Sequence, residues 1–209
     1  MKEKLSLSPR IVKTWHHISG IILGAFIGFH LLNQLISLGG PEAHIHFMDH
    51  LRVVYRYPPV EILLLAAVFS QLVSGIRLLF SREKRSTAEK IQRYTGMYLS
   101  YFLLVHVSAV FLCRFHHLDS NFWLAAVGLN YHPATFYFLP YYFLAVTSIT
   151  LHVAALHYRK TNSRWSTIVI AAAGTVTAVL ILIGFTAMFS WRDAPPAYQQ
   201  LILPYFGRH

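Results

Sequence analysis

Cysteine is all but missing from this chain, with Cys113 standing alone. One thiol forms no intrachain disulfide and no thiolate metal cluster. Its place at the end of an apolar run suits a small packing residue. Charge is scarce too: Asp, Glu, Lys and Arg make up 12% of the residues, only 8 of 209 are acidic, and 55% are hydrophobic. Soluble domains carry about twice that share of charge. With a mean hydropathy of +0.46, the composition excludes a soluble domain and implies a polytopic membrane protein.

Five apolar stretches, near residues 15–38, 60–80, 94–113, 136–158 and 165–190, approach the ~20 residues that cross ~30 Å of hydrocarbon. The predicted fold is an all-α bundle of five transmembrane helices, a single integral membrane domain over residues 1–209. The first apolar run is long and lacks a small-residue cleavage pattern, so it is expected to be a retained helix. The net charge of +10 is placed to set topology. Lys and Arg number 4 in residues 1–14, 6 over Arg77–Arg93 and 3 over Arg159–Arg164, against 2, 1 and 2 in the other connecting segments. That bias predicts an N-in, C-out protein, whose basic face meets anionic lipid or a cytoplasmic partner; no nucleic-acid partner is expected.

The stretch Ile91–Val107, IQRYTGMYLSYFLLVHV, carries His106 inside its apolar run, and Ile18–His30, ISGIILGAFIGFH, echoes it. In each, a hydroxyl residue and a glycine (Ser19-Gly20, Thr95-Gly96) precede the histidine by the same spacing. An ionisable group inside a membrane helix is costly and marks function. At ~1.5 Å per residue, His30 rises roughly 22 Å above the inner boundary and His106 roughly 18 Å, so the two can face each other. Two neutral imidazoles on facing helices are the usual axial pair of a b-type haem; alternatively, such histidines bond a neighbour or relay protons. Gln71 and His152 line a second level at about 14 and 9 Å. Gly20, Gly24 and Gly28 form a stripe that lets a helix or a flat cofactor approach. His16, His17, Ser19, Gln92, Arg93 and Thr95 cluster at the inner ends, where they suit haem propionates or partner carboxylates.

The segment after Gly39-Gly40-Pro41 reads as an outer loop with His44, His46 and His50, whose spacing fits no zinc pattern, so solvated loop histidines are expected. SREKRSTAEKIQR reads as a charged inner loop. FWLAAVGL reads as a short interfacial helix, and the tail from Trp191, with its QQLILPYF, lies outside. The fifth helix has no ionisable residue and reads as a structural wall.

These residues together resemble the five-helix cytochrome b subunit of succinate:menaquinone reductases and quinol:fumarate reductases. The likeness runs along nearly the whole chain: FHLLNQ in the first helix, HFMD after it, Ser70-x4-Gly75 in the second, IQRYTG and a later histidine in the third, and a late histidine in the fourth. The resemblance implies haem b between helices one to four. His30 and His106 match the outer axial pair and His152 matches one inner ligand. Gln71 stands where the family pattern has histidine, and Leu156 where it has glycine. The inner haem is then absent, bound through His152 alone, or ligated by Gln71.

By the same resemblance, a quinone, menaquinone, binds near the outer haem, with His46, Asp49, Arg52, Tyr55 and Glu61 as candidates for donors and a proton carrier. Thr150 stands where some quinol:fumarate reductases carry a glutamate, which favours the succinate-oxidising direction. The chain is expected in the bacterial cytoplasmic membrane, passing electrons between iron–sulfur clusters and quinone. A flavoprotein with FAD and an iron–sulfur subunit would dock on the basic loops, and the dicarboxylate site would lie outside this chain. Two other readings stand: a cytochrome b anchor of a hydrogenase or formate dehydrogenase, and a haem-free membrane scaffold or transporter.

Overall fold

Prolines and hydroxyl caps decide where the helices begin. Ser8 accepts a hydrogen bond from the Ile11 backbone at 3.5 Å and opens α1 (Pro9–Ile36), with proline in the first turn, where its missing N–H is no loss. A tight turn at Ser37–Gly39 and Gly40, whose φ of 96° suits glycine, lead into α2 (Pro41–Tyr55). Then follow α3 (Pro58–Leu79), α4 (Thr87–Phe115), α5 (Phe122–Asn130), α6 (Thr135–Thr161), α7 (Arg164–Phe185) and α8 (Pro196–Ile202). This computed structural model describes residues 8–80, 86–186 and 193–207. Lys2 and Lys4 of the basic tail, Arg82, Lys84 and Arg85 of the basic loop, and the last residues of the predicted fifth helix, 187–190, lie outside them.

The protein is an all-α membrane protein: α1, α3, α4, α6 and α7 are each long and apolar enough to span a bilayer. Two predicted connections turn out to be helical. Residues 87–93, read as part of the charged loop, are the first turns of α4, because Ser86 and Glu89 form a reciprocal capping box. The segment read as a solvated outer loop is α2. Its buried residues His44, Met48 and Arg52 recur every four positions and form one inward face.

Packing is uneven. The α6–α7 seam is closed by small residues on α7, Gly174 against Thr150 and Ala178 in one buried cluster with Val146, which let the helix axes approach closely. A Cβ at Gly174 would overlap the Thr150 side chain. Thr150 therefore faces α7, and its hydroxyl bonds back to the Val146 or Thr147 carbonyl. α1 packs on α3 and α4 on α6, whereas among the described residues α1 and α4 share hardly any close backbone approach.

At the end opposite the α1 N-terminus, α5 and α8 close the bundle. α5, predicted as a short helix, buries Phe122, Ala126, Val127, Gly128 and Leu129. The tail segment contributes Tyr198, Leu201 and Ile202 to a core with fully buried Cys113. α5 packs on α6 and α7, and α8 packs on α5 and the end of α4.

Gly174→Ala should lower stability by about 1–3 kcal/mol, because the α6–α7 seam has no slack. Gly24→Ala, which adds a methyl to open space, should be neutral or stabilising by up to about 1 kcal/mol. Thermal unfolding of the two variants in detergent checks the contrast.

Candidate functional site

The echo between the first and third predicted spans is a structural one. α1 with α3 and α4 with α6 form two antiparallel pairs joined in the same way. In the first, Ser19 donates to Gln71 Oε1 at 2.6 Å, and a Cβ at Gly20 would lie 3.6 Å from the Gln71 amide. In the second, His152 Nδ1 lies 3.1 Å from Thr95 Oγ1, and a Cβ at Gly96 would lie 3.6 Å from His152 Cε1. Gln71 and His152 thus hold matching places in the two pairs. The small residues before them exist so that a ring or amide can lie flat on a helix backbone.

Where the two pairs face each other, the rings of His30 on α1 and His106 on α4 stand edge to face, their centres 5.9 Å apart at 69°. Phe26 stacks on His30 at 5.6 Å and Phe102 on His106 at 5.1 Å, which limits how each imidazole can turn. Two imidazoles that share one metal atom place their ring centres roughly 6 Å apart, the sum of two metal–nitrogen bonds of about 2 Å and two ring radii of about 1.2 Å. The centre-to-centre spacing of the pair matches that of two imidazoles on one metal atom. Among the described residues no three His, Cys, Asp or Glu side chains cluster to hold a metal ion; a bis-imidazole haem needs only two ligands.

Behind His30 a polar chain runs toward the closed end. His30 Nε2 accepts from Gln34 Nε2 at 3.3 Å, and Gln34 Oε1 lies 3.3 Å from His44 Nε2 on α2. Asn33 Nδ2 lies 3.1 Å from the same His44 nitrogen. His44 and Asn33 are each 2% exposed, and His44 Nδ1 and Asn33 Oδ1 are buried with no protein partner. The Phe122 and Phe185 rings wall His44 in. Asn33 carries no sequence signal of its own, and His44, expected as a solvated loop histidine, is buried instead. The signal was the four-residue recurrence of His44, Met48 and Arg52, visible once the segment is taken as a helix.

The inner level differs from expectation. Gln71 and His152 do not pair with each other; each bonds to the neighbouring helix of its own pair. The residue that joins Gln71 is His16, its Nε2 lying 3.2 Å from Gln71 Nε2 and its Nδ1 2.9 Å from Ser74 Oγ. Ser19 is buried in this knot. Arg93 and His17 are exposed at the helix ends, and Gln92 accepts from Arg159 at 2.7 Å.

The predicted quinone set is split. Arg52 is buried and held by Asp49 and by Asp119, each at 3.2 Å, in a bridge from α2 to the α4–α5 connection. Glu61 pairs with Arg114 across α3 and α4. His46 is exposed and its ring tilts against His50 at 4.7 Å. Tyr55 meets the edge of Phe26, the ring stacked on His30. Tyr55 is thus linked to the ring pair through Phe26, while Arg52 and Asp49 act as a clamp on α2. The Gly24 and Gly28 part of the glycine stripe has nothing within 4 Å, so only Gly20 is a helix-packing glycine.

Comparison with known protein families, curated proteins and solved structures gives no match.

His44, which lies outside the spanning helices, carries a testable electrostatic consequence. Burial, with a smaller push from the Arg52 guanidinium, lowers its imidazole from 6.5 to about 4. The folded state then binds fewer protons than the unfolded chain between those values. Stability from neutral His44 is complete above about pH 6.5 and is lost as pH falls toward 4, by an amount on the order of 3 kcal/mol. The melting temperature should drop over that range, and His44→Phe should flatten the drop; an equal slope in the variant assigns the acid sensitivity elsewhere.

Proposed function

We propose that this protein is a haem b-bearing, quinone-reactive membrane anchor of the succinate dehydrogenase and fumarate reductase type, in a bacterial cytoplasmic membrane. The observation that carries this reading is the His30–His106 ring pair, centres 5.9 Å apart, on two helices that meet there through side chains. An ionisable side chain inside a membrane span is costly and marks function, and here two such rings lie side by side. Haem would supply one-electron transfer between iron–sulfur clusters of docked subunits and quinone.

Around that centre, the chain's own residues orient and insulate. Phe26 and Phe102 hold the ring planes, and Gln34 donates to Nε2 of His30, a contact that ligation through that nitrogen would replace. Tyr55 offers a phenolic donor within one ring of His30, and the Glu61–Arg114 pair offers a carboxylate able to carry a proton for a quinone head group, menaquinone in this reading. The basic ends of α3, α4, α6 and α7, with Arg77, Arg93, Arg159 and Arg164, suit docking of an acidic face on a flavoprotein and iron–sulfur subunit. Thr150, packed against α7, offers no carboxylate for a transmembrane proton route, which supports the succinate-oxidising direction.

A reduced-minus-oxidised spectrum of the purified protein should show a b-type α-band. His30→Ala and His106→Ala should each remove one haem per chain. A spectrum without that band, or one unchanged in both variants, would refute this function.

A further inference from the structure

Because the segment after Gly40 is a helix, the spacing of its histidines takes on a different meaning. In a loop, His46 and His50 would be two unrelated solvated rings. On α2 they stand four residues apart, one above the other on a single face. His44, Met48 and Arg52 turn the opposite face inward, and the outward face carries Glu42, His46, Asp49 and His50, all exposed. Two histidines at this spacing on a helix are a recurring pair of metal ligands.

The rings themselves suit that role. Their centres lie 4.7 Å apart at 58°. With each ring centre about 3.2 Å from a shared metal atom, rings on adjacent positions stand about 4.5 Å apart at a right angle and about 5.2 Å apart at the tetrahedral angle. The observed spacing lies between the two. His50 is also set in one tautomer. Its Nδ1 lies 2.8 Å from the His46 carbonyl oxygen, which can only accept, so Nδ1 carries the proton and Nε2 keeps the lone pair. One ring nitrogen held by a carbonyl, with the other left bare, is how proteins orient a histidine for a metal. Among the described residues the His46 ring nitrogens and Nε2 of His50 have no hydrogen-bond partner, so both rings can turn to one ion without breaking a bond.

We infer that His46 and His50 form a site for one late first-row divalent cation, Cu²⁺, Ni²⁺ or Zn²⁺, on the outward face of α2. Imidazole nitrogen selects these ions over Mg²⁺ and Ca²⁺, which prefer oxygen. Two protein ligands leave the other coordination positions to water, so the ion is exchangeable and not a structural one. Glu42 and Asp49 flank the pair and add negative charge, although Asp49 also meets Arg52 at 3.2 Å. A bound ion would link two turns of α2, the helix whose inward face reaches His30 through His44 and Gln34. The site stands whether or not His30 and His106 hold haem.

The test uses the full-length protein, purified in detergent without a polyhistidine tag and stripped with chelator. Calorimetric titration with Zn²⁺ should show one saturable site. One equivalent of Cu²⁺ should give an electron paramagnetic resonance signal split by two ligand nitrogens. His46→Gln and His50→Gln should each weaken Zn²⁺ binding by about tenfold or more and leave the copper signal with one nitrogen. His116→Gln, at an exposed histidine off α2, should change neither. Zn²⁺ should raise the melting temperature of the wild type but not of the double variant. Without metal the two should melt together, because both rings are exposed.

Three outcomes overturn the assignment: no saturable site in the wild type, binding and copper signal unchanged in both single variants, or a site that His116→Gln also removes.

Discussion

A polar side chain in hydrocarbon must find its partner within the protein, because the lipid has none to offer. Much of this structure follows from that requirement. Ser19, Gln71, Ser74 and His16 satisfy one another between α1 and α3, and Thr95 with His152 does so between α4 and α6. Each bond needs the side chain to lie against a neighbouring backbone, hence Gly20, Gly75 and Gly96 opposite them. Polar partner and glycine are two halves of one device, and they fix the register of the helices within each pair.

What separates the two pairs is as informative as what holds each together. α6 and α7 close on one another through alanine and glycine, as helices do when dispersion between backbones drives association. α1 and α4 meet instead through imidazoles and the phenyl rings stacked on them. α7 is thus a wall, and His16, His30, His106 and His152 lie on α1, α4 and α6. At the closed end, the Arg52–Asp119 bridge and the buried His44 tie α2 to both α1 and the α4–α5 connection. The outer histidine pair is thereby capped by an ordered element.

The amino-acid sequence by itself determined the five spans, because hydrocarbon thickness sets a length and composition that few other folds require. It also determined the shared depth of His30 and His106, since a helix converts residue number into height. It did not reveal α2, because a helix half buried against its own bundle has polar residues enough to read as a loop. It also could not say which neighbour each polar group would choose. Residue number gives height but not the azimuth at which a side chain leaves the helix, nor the distance between axes. Only tertiary packing set Gln71 beside His16 instead of His152, gave Arg52 a structural task, and buried His44, because each depends on which two helix faces meet.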